Sequence, residues 1–280
     1  MLRLSAVSID AGQERQFYDE WYAQFQAASD DALVCNFTTF CRDIADPHAP
    51  GFERRLLHQT ALGHLLASPV AGYNALDYCC GTGDWGLMLA GQGANVTLLD
   101  LSPVAIQVVL RRARLSGVER RVRGVAADAS NLACFRDGEF DLIFGSAAVH
   151  HTVKYPGAVE ELVRVLRPGG RLILAETYCN NRLLNLVRRL RWRISGLADD
   201  AGEDVLLSDS DLARLLQHFH NSRVVPLNFL AMAKRLFRGR FANPVVLQAL
   251  RSLEAADRAL LRICPPLKRY CGEVVVVAEK

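Results

Sequence analysis

No uninterrupted apolar run in the 280 residues approaches the roughly 18 to 20 needed to cross a bilayer, and the opening MLRLSAVSID lacks the longer apolar stretch of a secretory leader. Both absences point to a cytoplasmic protein. Charge of one sign is also scarce: 33 Lys and Arg stand against 30 Asp and Glu, a net +3 that is too small for a broad nucleic-acid-binding face. The eight cysteines, Cys35, Cys41, Cys79, Cys80, Cys134, Cys179, Cys264 and Cys271, form no paired CxxC units and no Cys/His set with zinc spacing. They are expected to be mostly buried free thiols in a reducing compartment. Carboxylate and His groups with ligand spacing are missing as well, so no metal is expected. Repeats and low-complexity stretches are absent. What remains, half apolar and 22% charged, suffices for one substantial core, or a core plus an appendage.

From about residue 74 onward, short apolar runs alternate with helical patterns, the signature of βαβ units around a parallel sheet. Seven strands are expected, at 75–78, 96–100, 122–127, 140–145, 171–176, 224–227 and 273–278. Ser102 should cap the helix that Pro103 opens, and Arg167-Pro168-Gly169-Gly170 should stop the helix begun near Pro156. Ser208 and Asp211 should form a capping box. The reading is an α/β protein with a seven-stranded, mostly parallel, doubly wound sheet. Residues 1–73 look helical and carry nine of the 22 aromatics, which suggests a helical cap ahead of a main domain at 74–280. Helical insertions are expected at about 180–205 and 230–270.

The segment from Asn74 to Gly86 places a strand, a glycine-bearing turn and a helix start in that order, which brings backbone N–H groups close to a ligand. Gly81-Thr82-Gly83-Asp84-Trp85-Gly86 satisfies GxGxxG, and Asp100 ends the next strand, where an acid can accept hydrogen bonds from a ribose diol. A nucleoside-containing cofactor follows, without its identity. Asp77 narrows the choice: a carboxylate ahead of the turn suits a cofactor with ammonium and sulfonium groups better than a pyrophosphate.

Leu76-Asp77-Tyr78-Cys79-Cys80-Gly81-Thr82-Gly83-Asp84 resembles motif I of class I S-adenosylmethionine (SAM)-dependent methyltransferases, and within them the small-molecule group similar to the ubiquinone and menaquinone biosynthesis enzymes. The resemblance continues through Leu99 to Pro103, Ala127-Asp128-Ala129, Phe140 to Ser146, His150-His151 and Arg164 to Gly170, firmly over about 75–178. It implies a Rossmann-like fold that binds SAM and releases S-adenosylhomocysteine. It further implies that Asp77, Cys79, Gly81, Gly83 and Asp84 frame the methionine portion and that Asp100 and Leu101 meet the ribose. Asp128 and Ala129 would then meet the adenine edge, with Ser146 lining the pocket. Cys79 stands where the family usually has a glycine.

In an open α/β sheet ligands bind beyond the carboxyl ends of the strands, which is where His150, His151, Glu176 and Tyr178 fall. Either histidine could serve as acid or base for a methyl acceptor, or merely cap a turn. Tyr18 and Tyr22 lie in an aromatic helix that, by the resemblance, closes over cofactor and acceptor; the alternative is a core stripe. The Arg-rich segment 182–193 reads as an amphipathic helix, able to cover an anionic or carrier-bound acceptor or touch acidic lipids, or simply solvated on its charged face.

The expected function is methyl transfer to a small organic acceptor, with O, N and C all open. A nicotinamide-dependent oxidoreductase is the alternative, supported by GxGxxG and Asp100 but lacking a YxxxK after the fourth strand. A catalytically idle SAM-binding subunit is another. A nucleic-acid methyltransferase is disfavoured, because the segment from Gly145 to His151 lacks the [DN]PP[YF] set.

Overall fold

The computed structural model describes residues 11–186 and 206–280. Among them seven strands, β1 (Asn74–Tyr78), β2 (Asn95–Asp100), β3 (Val122–Ala126), β4 (Phe140–Ser146), β5 (Leu166–Thr177), β6 (Asn221–Leu227) and β7 (Glu273–Glu279), form one sheet in the order β3-β2-β1-β4-β5-β7-β6. β7 runs antiparallel to β5 and β6, and the remaining neighbours are parallel. The mostly parallel sheet expected from the sequence is thus present. β5 starts earlier than expected, because Leu166 already pairs with Phe140 and the ladder then shifts register before Leu142. The strand order reverses between β1 and β4, which opens a crevice at their carboxyl ends.

The helices are α1 (Ala11–Gln26), α2 (Asp30–Leu33), α3 (Phe37–Ala45), α4 (Arg55–Leu65), α5 (Asp84–Gly91), α6 (Pro103–Leu115), α7 (Val149–Thr152), α8 (Ala158–Val165), α9 (Asp209–Leu216) and α10 (Pro244–Ile263). The Ser102 hydroxyl accepts from the Ala105 N–H with Pro103 at the first helical position, and Ser208 and Asp211 cap each other's backbone. Successive strand residues point to opposite faces. Leu98, Leu142 and Phe144 therefore pack with α4, α5 and α6, whereas Leu99, Ile143 and Leu174 pack with α8 and α9. The segment before residue 74 contributes more than a cover: Leu57, Ala61 and Leu65 of α4 belong to the sheet's own core.

α1 differs. Its one buried residue is a glutamate, Glu14, and the helix is held by polar contacts to α6: the Ser102 hydroxyl donates to Asp19 at 2.5 Å, and Arg111 donates to the Gln26 carbonyl at 2.9 Å. Within 230–270, α10 is tied down by Asp257, which accepts from the N–H groups of Phe229, Leu230 and Ala231. Lys234 is buried against Glu273 of β7 at 2.9 Å. The Arg-rich segment 182–193 lies outside the described residues from 187 onward, as does most of the expected insertion at 180–205. The described cysteines are all free, yet only Cys35 and Cys271 are buried; Cys134 is exposed and the rest are half-buried, so "mostly buried" is corrected. No helix among the described residues is long and apolar enough to cross a membrane.

Candidate active site

The turn after β1 reverses the chain in a few residues by left-handed backbone at Cys79 (φ 55°), Gly81 (φ 53°) and Gly83 (φ 75°). Glycine takes this conformation without a steric penalty; Cys79 stores about 1–2 kcal/mol of strain. A second left-handed non-glycine, Ala147 (φ 53°), follows β4. Both strained residues border a cavity of about 470 Å³ at the carboxyl ends of β1, β2 and β4, within the usual size range of small-molecule sites.

Asp77, Cys79, Gly81, Asp100, Leu101, Asp128, Ala129, Ser146, Tyr18, Tyr22 and His151 all border this cavity. Asp77 is buried and accepts from the Gly86 N–H at 2.8 Å. Burial pushes its carboxyl up to about 8; the Gly86 bond opposes this, and the nearby Asp84 and Asp100 reinforce it. A cation placed beside Asp77 would relieve that penalty. Asp100 accepts from the Gly81 N–H at 2.8 Å and the Ser102 N–H at 2.9 Å, one bond to each carboxylate oxygen. Each oxygen keeps a second lone-pair direction for a ligand hydroxyl. Asp128 forms a turn by accepting from the Ser130 N–H at 2.8 Å, and the Ala129 carbonyl accepts from the Tyr78 hydroxyl at 2.7 Å.

Five of the expected site residues are turned elsewhere. Gly83 packs under α6, where a Cβ would meet Val109 Cγ2 at 2.0 Å. Asp84 is bound by Arg112 at 2.7 Å and by the Thr82 hydroxyl at 2.7 Å; burial pushes its carboxyl up, but Arg112 outweighs this and holds it below the usual range. Glu176 and Tyr178, two apart on one face of the chain, point toward α7 and α9. Glu176 accepts from the Ala148 and Val149 N–H groups at 2.9 Å and meets His150 Nδ1 at 2.7 Å, while the Tyr178 hydroxyl donates to Asp209. His150 is thereby drawn beneath α7 and away from the cavity wall. The side chains of Asp84, His150, Glu176 and Tyr178 are thus engaged by other parts of the chain.

Other side chains at the cavity were not singled out from the sequence: Glu14, Phe17, Trp21 and Phe25 of α1, together with Arg54, Trp85, Thr152 and Tyr155. Glu14 Oε1 lies 2.8 Å from His151 Nδ1, both side chains being about nine-tenths buried. Arg54 borders the cavity without a carboxylate partner among the described residues, since the neighbouring Glu53 is paired with Arg238 at 2.7 Å. The cavity is therefore acidic along β1 and β2 and carries a guanidinium at Arg54.

Residues 75–170 match the methyltransferase domain family. Over 109 residues the chain is 40% identical to the demethylmenaquinone methyltransferase of Clavibacter sepedonicus, covering 39% of this chain and 43% of that protein. The chain spans about half the length of the curated relatives it matches. The crystal structure of geranyl diphosphate C-methyltransferase from Streptomyces coelicolor, solved with Mg²⁺, geranyl diphosphate and S-adenosylhomocysteine, superposes with a TM-score of 0.53 at 16% identity over 94% of this chain and 97% of that one. A [4+2]-cyclase superposes with a TM-score of 0.54 at 20% identity over 98% of this chain and 97% of its own, so the shared fold alone does not select a reaction. The match to the methyltransferase domain family falls on β1 to β4 and on the turns that build the cavity.

Proposed function

We propose that this chain is a cytoplasmic SAM-dependent methyltransferase acting on a small organic acceptor. The observation that carries the reading is Asp77, a buried carboxyl group at the glycine turn with no cation beside it among the described residues; a ligand's positive amino-acid end would favour its ionised form, whereas a pyrophosphate would bring further negative charge to a site that already disfavours it. The nicotinamide alternative is disfavoured on the same ground. In this reading Asp77 holds the donor's ammonium, Arg54 its carboxylate, and Asp100 the ribose hydroxyls. Asp128 and the Ala129 backbone meet the adenine edge, and Ser146 lines the pocket.

When bound, SAM supplies an electrophilic methyl group on a positively charged sulfur. The chain's share is alignment and dehydration: the aromatic side chains of α1 exclude water while the turn and Asp100 fix the donor against an acceptor held nearby. His151, facing the cavity, takes the acceptor's proton where one must leave. Incubating a metabolite extract with the protein and methyl-labelled SAM, followed by mass spectrometry, tests the reading. A labelled small molecule is expected; unlabelled metabolites with unconsumed SAM would contradict it.

Affinity for SAM should depend on pH through Asp77. Its carboxyl rises from an ordinary 3.8 to about 8 in the folded chain, so the folded state retains a proton across that window and ligand-free stability falls as pH rises through it. The donor's ammonium needs the ionised form. Affinity is therefore expected to rise from pH 6 to pH 8, by up to about tenfold per pH unit, and Asp77→Asn should both weaken binding and flatten the profile. Calorimetric titration at several pH values checks this. Because α1 covers the cavity, SAM or S-adenosylhomocysteine should also slow proteolysis within 11–26; equal cleavage rates with and without ligand would count against closure by α1.

A further inference from the structure

The contact between Glu14 and His151 joins two parts of the chain that sequence distance keeps apart. Glu14 sits on α1, which supplies seven of the cavity's lining side chains, and His151 sits on the short helix after β4. Their ion-pair distance is 2.8 Å. Tyr18, one turn along α1, meets the His151 ring edge-on with centroids 6.1 Å apart, and the His150 ring centroid lies 4.2 Å from that of His151, itself held by Glu176. α7 is anchored independently of α1, because Glu176 accepts from its first backbone N–H groups.

We infer that Glu14 is the positioning residue for His151, so that the proton acceptor of the methyl-transfer site is completed by α1 and only when α1 is closed. The inference rests on the methyltransferase reading for its purpose, and on the Glu14 contact for its content. The Glu14 carboxylate, at ion-pair distance from Nδ1 though not aligned as a hydrogen bond to it, stabilises the imidazolium that forms when a proton arrives. Among the described residues, the other polar groups facing His151 include Tyr18 from α1, His150 with Glu176 behind it, and Asp100 from β2. Glu14 alone among them comes with the covering helix, is acidic and touches the ring at ion-pair distance. α1 carries Glu14 with it, so a ligand that enters by displacing this helix meets His151 without its carboxylate and regains it on closure. Proton transfer is thereby confined to the closed, water-excluded state.

The test is the titration of His151 by NMR in the full chain, assigned with His151→Gln and compared among the wild type, Glu14→Gln and Asp19→Ala. Glu14→Gln keeps the shape and removes the charge, and about a tenfold loss of proton affinity at His151 is expected. Asp19→Ala removes the Ser102 tether of α1 but leaves Glu14 and His151 intact, and it should lower the same affinity in step with increased protease sensitivity of α1. His151 titrating alike in the wild type and Glu14→Gln would overturn the inference. So would an Asp19→Ala chain whose α1 is cleaved readily while His151 titrates as before. Neither measurement uses SAM or an acceptor, so failure here is distinct from failure of the methyltransferase reading, which the labelling experiment addresses.

Discussion

Asp100→Ala is expected to weaken SAM binding about ten- to hundredfold and, in addition, to destabilise the chain. In the proposed function Asp100 is a charged acceptor for the ribose hydroxyls, and losing such an acceptor costs on the order of 1.5–3 kcal/mol. From the sequence alone Asp100 reads as a ligand group with little part in the fold. The structure shows a second duty, because its two oxygens accept from the Gly81 and Ser102 N–H groups and so clamp the glycine turn to the start of α6. Alanine leaves both donors without that partner at a largely buried position, at about 1–3 kcal/mol for each that finds no water. Asp100→Asn separates the effects: its amide oxygen keeps one of the two backbone bonds, so most stability should remain while affinity still falls. Thermal melts alongside calorimetry check both, and an Ala variant with unchanged SAM affinity would remove Asp100 from the site.

Gly83→Ala should act through stability rather than ligand contact. At φ 75° a side chain is strained by about 1–2 kcal/mol, and the new methyl would lie 2.0 Å from Val109 Cγ2, a buried β-branched side chain with little room to turn. Overpacking adds about 1–3 kcal/mol, for a total loss of about 2–5 kcal/mol in denaturant unfolding. Gly81→Ala meets only the Tyr22 hydroxyl, at 2.9 Å, and should be milder in stability. Its cost falls instead where α1 closes on the turn. A Gly83→Ala chain as stable as the wild type would mean that α6 does not pack on the turn as described.

The parts of this arrangement written locally in the chain were legible. Strand and helix starts are marked by apolar alternation, by the Ser102-Pro103 pair and by the Ser208 and Asp211 capping box, and the turn from Cys79 to Gly83 announces itself by its glycines. Side-chain direction is not local. Nothing in His150-His151 says which ring faces the cavity; that is decided by Glu176, which reaches under α7 and takes His150. Glu176 and Tyr178 lie at the expected strand end, but their partners on α7 and α9 are not legible locally, because those contacts exist only once the helices are packed. Glu14 was invisible as a site residue, being an acid in a helix rich in polar residues whose role comes from a contact across the fold. Arg54 is similar, its meaning lying in the missing carboxylate partner and not in any motif. Cys79 read as a departure from the family's glycine, and its left-handed φ shows why glycine is usual there.

In the proposed function the cavity at the carboxyl ends of β1, β2 and β4 is built for a cationic nucleoside donor. Calorimetric titration of the wild-type chain with S-adenosylhomocysteine and, separately, with NAD⁺ and NADH tests it most directly. Saturable binding of S-adenosylhomocysteine at one site per chain, weakened by Asp100→Asn and absent for both nicotinamide nucleotides, is the expected result; tight NAD⁺ or NADH binding with no heat from S-adenosylhomocysteine would contradict it.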